Sequence, residues 1–322
     1  MNSLQQTLIL LYQHQHEYIS GSYISEQLNI SRQAVWKNIN QIKQNGYIIE
    51  SIKGKGYQIK HFKKGYEESL IHEFHKQHPF YEFIHFEDVV SSTQNIANEL
   101  SYKYSNPFIV IANEQLEGRG RFNRRWDSSK NLGLWMSIVI YPKISLERIG
   151  PINLFISIAI IEVLRNEYDL QAMIKWPNDI YIDDKKICGF ITEGQFSQNE
   201  LHHLTCGIGI NLFQDSDQLS NQFERQITSL NNHVEDINQY EFLNHMLNYL
   251  TKYFEIMDSI SFEDYKDKYI SYSNIWGKEY NFLVGQHSFI GIPLDVTNQG
   301  ELVINHEGQH VTISSGDILS SK

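Results

Sequence analysis

Of 322 residues only two are cysteines, Cys188 and Cys206, and neither belongs to a CxxC pair. That excludes a disulfide framework and a zinc site built on cysteine pairs. Long apolar runs are also missing. The longest stretch, around 152–164, is broken by Asn153, Ser157 and Glu162, too short and too interrupted to span a bilayer. The opening MNSLQQTLIL lacks the basic segment and small-residue cleavage site of a signal peptide, so a soluble, cytoplasmic chain with no membrane partner is expected. There is no GxxxxGK[ST], which excludes a P-loop, no HExxH and no GxSxG elbow. The fourteen histidines form no metal-type cluster and read as surface residues.

Positive charge is scarce overall, with a formal net charge of −11, but it is unevenly placed. Residues 1–65 carry eight Lys/Arg against three acids, a local +5 on a remainder of −16. A basic module on an acidic body points to a polyanionic partner for that module alone. The second concentration is Gly118-Arg119-Gly120-Arg121-Phe122-Asn123-Arg124-Arg125-Trp126. Glycines allow close backbone approach, and guanidinium forks suit phosphate or carboxylate. A core needs no such run; a loop closing over a polyanionic ligand does.

The N-terminal module reads as three helices and a hairpin. Leu4, Leu8 and Leu11 repeat at helical spacing. A second helix is expected from Ser22, as its cap, to Leu28, and a third from the cap Ser31 to Asn45, ended by Gly46. Val35, Ile39 and Ile42 form its apolar stripe; Gln33, Lys37, Asn40 and Gln44 form the opposite one. Gln, Asn and Lys are residue types that read base edges and touch phosphates. Strands at 47–52 and 57–59 flank the tip Lys53-Gly54-Lys55-Gly56. The ordered set is a winged helix-turn-helix that binds duplex DNA, with Arg32, Gln33, Lys37, Asn40, Lys53 and Lys55 as contacts. One recognition helix per chain implies a homodimer on two half-sites.

Residues 61–80 read as a connector helix, 82–90 as a strand, and Ser91-Ser92-Thr93-Gln94 as the opening of a helix. Those hydroxyls and N–H groups either cap the helix or hold a polar ligand head. Strands are expected at 108–112 and 133–141, a long helix at 148–167, and strands on both sides of Trp176-Pro177. Asp183-Asp184 read as a hairpin turn, followed by strands from Lys185 and over 201–212. Hairpin-linked strands with few long helices argue for α+β. Gly207-Ile208-Gly209 lies inside a strand pattern and reads as close approach by a neighbour or ligand rather than a dinucleotide fingerprint. Helices are expected at 240–257 and 262–269, then short strands with glycine turns from Asn274, a small β-barrel.

GRGRFNRRW (118–126), SSTQ (91–94), Gln115, KWPNDI (175–180), Lys186-Ile187-Cys188-Gly189 and GIGIN (207–211) together resemble the bifunctional biotin–protein ligases that also act as the biotin operon repressor. The resemblance runs in order over nearly the whole chain. It implies an N-terminal winged helix-turn-helix at 1–63, a central mixed-sheet biotin/lipoate ligase-type domain at 64–272 and an SH3-like barrel at 273–322. It implies ATP, biotin and Mg²⁺, formation of biotinyl-5′-AMP, and transfer to a lysine of a biotin carboxyl carrier domain. By resemblance Ser92, Thr93, Gln94, Gln115, Arg119, Gly120, Arg121 and Lys186 hold biotin; Arg121, Arg124, Trp126 and Asn211 hold the nucleotide; Arg119, Lys186 and Asp179 serve catalysis. Without the resemblance Lys186 reads rather as a solvated strand-edge residue. The rival readings are a sensing repressor without turnover and a lipoate-type ligase.

Overall fold

The computed structural model describes residues 1–144, 149–197, 200–223 and 226–321. The N-terminal module contains α1 (Ser3–Gln13), α2 (Gly21–Leu28), α3 (Arg32–Gln44), β1 (Ile48–Ile52) and β2 (Gly56–His61). Ser31 caps α3, accepting from Ala34 N at 3.1 Å. The cap of α2 is Ser20 rather than the expected Ser22. Ile19 is tied by two backbone hydrogen bonds to Tyr57, so Ser20 is the last extended residue and the helix starts one step later. Val35, Ile39 and Ile42 are buried as the stripe requires. So is Asn38, whose amide donates to Thr7 Oγ1 at 2.9 Å and Ser3 O at 3.0 Å.

The connector helix expected over 61–80 is cut to α4 (Glu68–His75). β2 runs on to His61, and Gly65 follows at φ 87, a left-handed conformation that interrupts a helix. Here the module is fixed to the body. Tyr66 N donates to Asn113 Oδ1 at 2.7 Å, and Asn113 Nδ2 donates to Tyr66 O and to Asp88, both at 3.0 Å. The Tyr240 ring meets Tyr12, Phe62 and Tyr66 at centroid distances of 5.6, 5.1 and 5.4 Å.

The body is a seven-stranded sheet of order β3-β4-β5-β9-β8-β7-β6. Its strands are β3 (Ile84–Val90), β4 (Phe108–Gln115), β5 (Gly133–Ile140), β6 (Ala172–Lys175), β7 (Asp179–Ile182), β8 (Lys185–Ser197) and β9 (Glu200–Asn211). Only β3 and β4 run parallel, joined by α5 (Thr93–Leu100). Alternation sorts the two faces. Phe108, Val110 and Val139 pack with Ala97 of α5. Ile109, Ile111 and Ile138 join the main core with α6 (Gly150–Asn166) and α8 (Gln239–Ile256), after α7 (Ser216–Phe223). The expected start of α6 at Arg148 lies outside the described residues. Buried Glu162 of α6 binds Tyr253 of α8 at 2.9 Å and Lys268 of α9 (Glu263–Ser271), tying the three helices together.

The C-terminal strands are β10 (Tyr280–Val284), β11 (His287–Val296), β12 (Leu302–His306), β13 (Gln309–Ile313) and β14 (Asp317–Ser321). They form one antiparallel sheet of order β13-β12-β11-β10-β14. Among the described residues no ladder joins β13 to β14, so the expected SH3-like barrel is not closed. β11 spans both halves, and its register shifts between Pro293 and Asp295, where proline offers no N–H to the ladder. Trp176 Nε1 donates to Gly300 O at 3.0 Å, one fastening of this sheet to the body. No described helix is long and apolar enough to cross a membrane.

Asn113→Ala would strand both backbone groups of buried Tyr66. The expected loss is about 2 kcal/mol, read as a lower denaturation midpoint by circular dichroism; an unchanged midpoint would show that the joint does not depend on this amide.

Candidate functional site

The sheet face beside the N-terminus of α5 carries an open cavity. Its floor is a network of hydroxyls and amides. Thr93 donates from N and Oγ1 to Gln115 Oε1 at 2.8 and 3.0 Å, and Thr93 Oγ1 also meets Ser137 Oγ at 2.8 Å. Ser137 Oγ donates to Gln94 Oε1 at 2.9 Å, and Gln94 Nε2 donates to Thr205 O at 3.0 Å and Glu193 at 3.2 Å. Ser92 caps α5 through Gln94 N, so the SSTQ run is a helix cap and a cavity wall at once. Gln115 is held from its other end by Ser128 at 2.8 Å.

Register builds the next strip. Trp135, Gly209, Gly189 and Asp179 are cross-strand neighbours on β5, β9, β8 and β7. The two glycines leave a trough that Trp126 fills. A methyl on Gly209 would stand 2.5 Å from Trp126 Nε1, and one on Gly189 would stand 3.0 Å from Trp126 Cζ3. Gly207 leaves room for Gln94 in the same way, its Cβ position lying 2.6 Å from Gln94 Oε1. The close-approach reading of these glycines holds. Trp126 Nε1 is buried and has no hydrogen-bond partner. An orphan buried donor inside a ligand cavity is poised for an acceptor.

Lys186 Nζ stands 2.6 Å from Asp179 Oδ1 and 5.2 Å from the Trp126 ring. Its side chain is only 16% exposed, so it is a cavity cation and not a solvated edge residue. Cys188, on the same strand, is sealed: burial pushes its thiol well above the usual range, leaving no reactive thiolate. Asn178 lines the cavity and donates to Phe190 O at 2.5 Å.

The arginine loop forms the rim, closed at its base by Trp126 N donating to Gly118 O at 2.8 Å. Arg119 donates to Glu193 at 3.4 Å. Arg121 donates to Asn178 Oδ1 at 3.3 Å, Gly316 O at 3.1 Å and Ser315 Oγ at 3.0 Å. Arg124 pairs with Asp317. Burial draws the Arg121 guanidinium below its ordinary value, opposed by Asp317 and Asp179. Phe122, at φ 55 and exposed, lies under the Arg121 and Arg124 guanidiniums. Asp127 accepts from Ser129 N and Oγ and turns the chain out of the loop.

The structure thus brings together every residue assigned to biotin or nucleotide, Gly120 included. Asn211 reaches the cavity, but its amide is engaged by Thr228 O and Gln214. The sequence reading missed Ser137, Glu193 and Asp317. Ser137 was findable as the one hydroxyl in an apolar strand; no sequence pattern marks Asp317, which arrives from the C-terminal sheet. On the separate N-terminal face, Arg32, Gln33, Lys37, Lys53 and Lys55 are exposed and Asn40 is half-buried.

A sequence profile of the Biotin/lipoate A/B protein ligase family matches residues 86–211, and one described as an HTH domain matches 3–58. A Bacillus spizizenii protein named Bifunctional ligase/repressor BirA is 32% identical over 320 residues, 98% of each chain. The chain belongs to the bifunctional biotin–protein ligase/repressor family. The Escherichia coli protein of the same name is 23% identical over 298 residues, 91% of this chain and 89% of that one. Among solved structures, the biotin protein ligase from Aquifex aeolicus in complex with biotin and ATP superposes with a TM-score of 0.62 at 27% identity, covering 74% of this chain and 98% of that one. This member of the family therefore joins a ligase body to a DNA-binding repressor module.

Gly209→Ala is expected to expel Trp126 from its trough. Tryptophan emission should shift to longer wavelength, and the shift should vanish in a Trp126→Phe background; a shift that persists there would refute the assignment of the trough to Trp126.

Proposed function

We propose that one cavity activates biotin with ATP and passes it to a lysine of a biotin carboxyl carrier domain, while the N-terminal module binds operator DNA as a ligand-loaded homodimer. The units are 1–63, 64–272 and 273–322. The observation that carries the reading is the Lys186–Asp179 pair beside Trp126, between a hydroxyl-amide floor and an arginine rim. A cyclic urea needs donors and acceptors at fixed positions, which Ser92, Thr93, Gln94 and Gln115 supply. Arg119 and Gly120 close over the valeryl arm, and Arg121 and Lys186 meet its carboxylate.

In the first step a biotin carboxylate oxygen bonds to the α-phosphorus of ATP and the bond to pyrophosphate breaks. Negative charge crowds this centre, so neutralisation by Lys186, Arg119, Arg121 and Arg124 and correct positioning supply the rate. Trp126 walls the nucleotide. Asn211 shapes the adenine end. Mg²⁺ accompanies ATP and neutralises phosphate charge when bound. An ion carried mainly by phosphate oxygens and water needs few protein ligands. In the second step the carrier lysine's amine attacks the acyl carbon, AMP leaves, and the ammonium proton passes to Asp179.

Lys186→Ala should abolish pyrophosphate release; Asp179→Asn, which also frees the Lys186 ammonium, should slow that release in part and slow transfer further, by about 100-fold, the scale of a lost proton acceptor. Pyrophosphate release and an avidin blot of a purified carrier domain separate the steps. Unlabelled carrier with the wild-type chain would remove the enzyme reading.

For the repressor, ligand is expected to order 118–130 and promote dimerisation, with Phe122 at the contact. DNA affinity should rise with biotin and Mg·ATP and fall steeply with salt. Lys37→Ala should flatten the salt slope by about one counterion. Equal dimer affinity with and without ligand would sink the coupling.

A further inference from the structure

The reading face of α3 carries one side chain that hydrogen bonding to bases leaves unused. Trp36 is 62% exposed, although α3 has a closed apolar stripe that would bury an indole one position away. Lys43, two turns further on, donates from Nζ to Ser51 Oγ of β1 at 3.1 Å. Trp36, Asn40 and Lys43 follow at spacings of four and three and so share one flank of α3. Trp36 stands exposed on that flank, with Gln33 and Lys37 exposed on the same helix and Lys53 and Lys55 exposed on the hairpin tip. No acid occurs between Glu26 and Glu50.

We propose that Trp36 is a sequence-reading residue, packing against thymine C5-methyl groups in the major groove. A basic surface that also presents an exposed indole suits an occupant that is polyanionic and yet offers an apolar patch. Duplex DNA meets both terms: phosphates line the groove, and the thymine methyl is the one apolar group on a major-groove base edge. The proposal rests on the DNA-binding reading of the N-terminal module and assigns it a contact separate from Gln33, Lys37 and Asn40. It places thymine in the operator half-site at the step facing Trp36.

The test starts from duplexes enriched out of a randomised pool by the full chain loaded with biotin and Mg·ATP. Each is remade with uracil for thymine, which removes methyls and leaves every hydrogen-bonding edge and phosphate. The wild-type chain should lose about fourfold in affinity per contacted methyl. Trp36→Ala should bind the thymine duplex as weakly as wild type binds the uracil one, with no further loss on uracil. Its salt slope should equal wild type, because no phosphate contact is removed. Trp36→Phe should keep part of the discrimination. Biotin transfer and ligand-loaded sedimentation should be unchanged in both, reporting a folded chain that dimerises normally.

The proposal falls if uracil leaves wild-type affinity unchanged, or if Trp36→Ala binds thymine duplex as tightly as wild type. It falls equally if that variant still separates thymine from uracil by the full factor, or loses dimerisation, which would make Trp36 a protein contact. Failure to enrich any duplex removes the DNA reading itself, and the proposal with it.

Discussion

The catalytic face depends on side chains that are missing. Gly209 and Gly189 sit side by side across β9 and β8, and Trp126 occupies the space their Cβ atoms would take. That packing fixes where the arginine loop re-enters the body, because Trp126 also closes the loop base onto Gly118. It sets the wall against which Lys186 stands, and Asp179 on the next strand holds the ammonium in place. Remove the trough and the tryptophan, the loop base and the lysine lose a common reference. A site whose rate rests on charge neutralisation needs such a reference, since small displacements of a cation erase much of its benefit.

The loop is held at its rim by carboxylates and carbonyls of the protein. Glu193 takes Arg119; Asp317 and the backbone of Gly316 take Arg124 and Arg121. These partners come from β8 and from the C-terminal sheet, so three parts of the chain meet around the guanidiniums. A triphosphate offers the same fork-shaped complement with more charge. The resting contacts keep the arginines paired with protein oxygens at the rim of the cavity. The C-terminal sheet, which has little chemistry of its own, enters the site through Ser315 to Asp317.

Much of this was legible in the residues, for identifiable reasons. Ser31 and the Val35-Ile39-Ile42 stripe announced α3 because caps and helical periodicity are local. The glycines of β9 announced close approach because a strand interior has no other use for them. Lys186 was ambiguous: local pattern cannot tell a solvated strand cation from one buried against a partner on the next strand. Asp317 was invisible because its role is set by how one sheet docks on another. The helix expected over 61–80 failed for a related reason. Its residues have helical character, but Gly65 takes a left-handed φ and Tyr66 is bound through both its N–H and its C=O by Asn113 from β4, and tertiary bonding overrides propensity there.

That same joint is where the two activities meet physically. The chain leaving the arginine loop passes through Ser128, bound to Gln115, and reaches Asn131, whose N–H donates to Asn113 O at 2.9 Å. Asn131 packs against Gly65 so closely that a methyl there would lie 2.1 Å from its Oδ1. Lys130 pairs with Asp88, which also accepts from Asn113. Gly65 and Tyr66 in turn lead directly into the winged helix. A ligand shifts an equilibrium only through contacts that differ between the two states. In the proposed coupling, the segment that gains contacts from ligand is continuous, within five residues of Trp126, with the segment that seats the DNA-binding module. Coupling between them requires no long relay through the core, only that ordering of the loop be felt at Asn131.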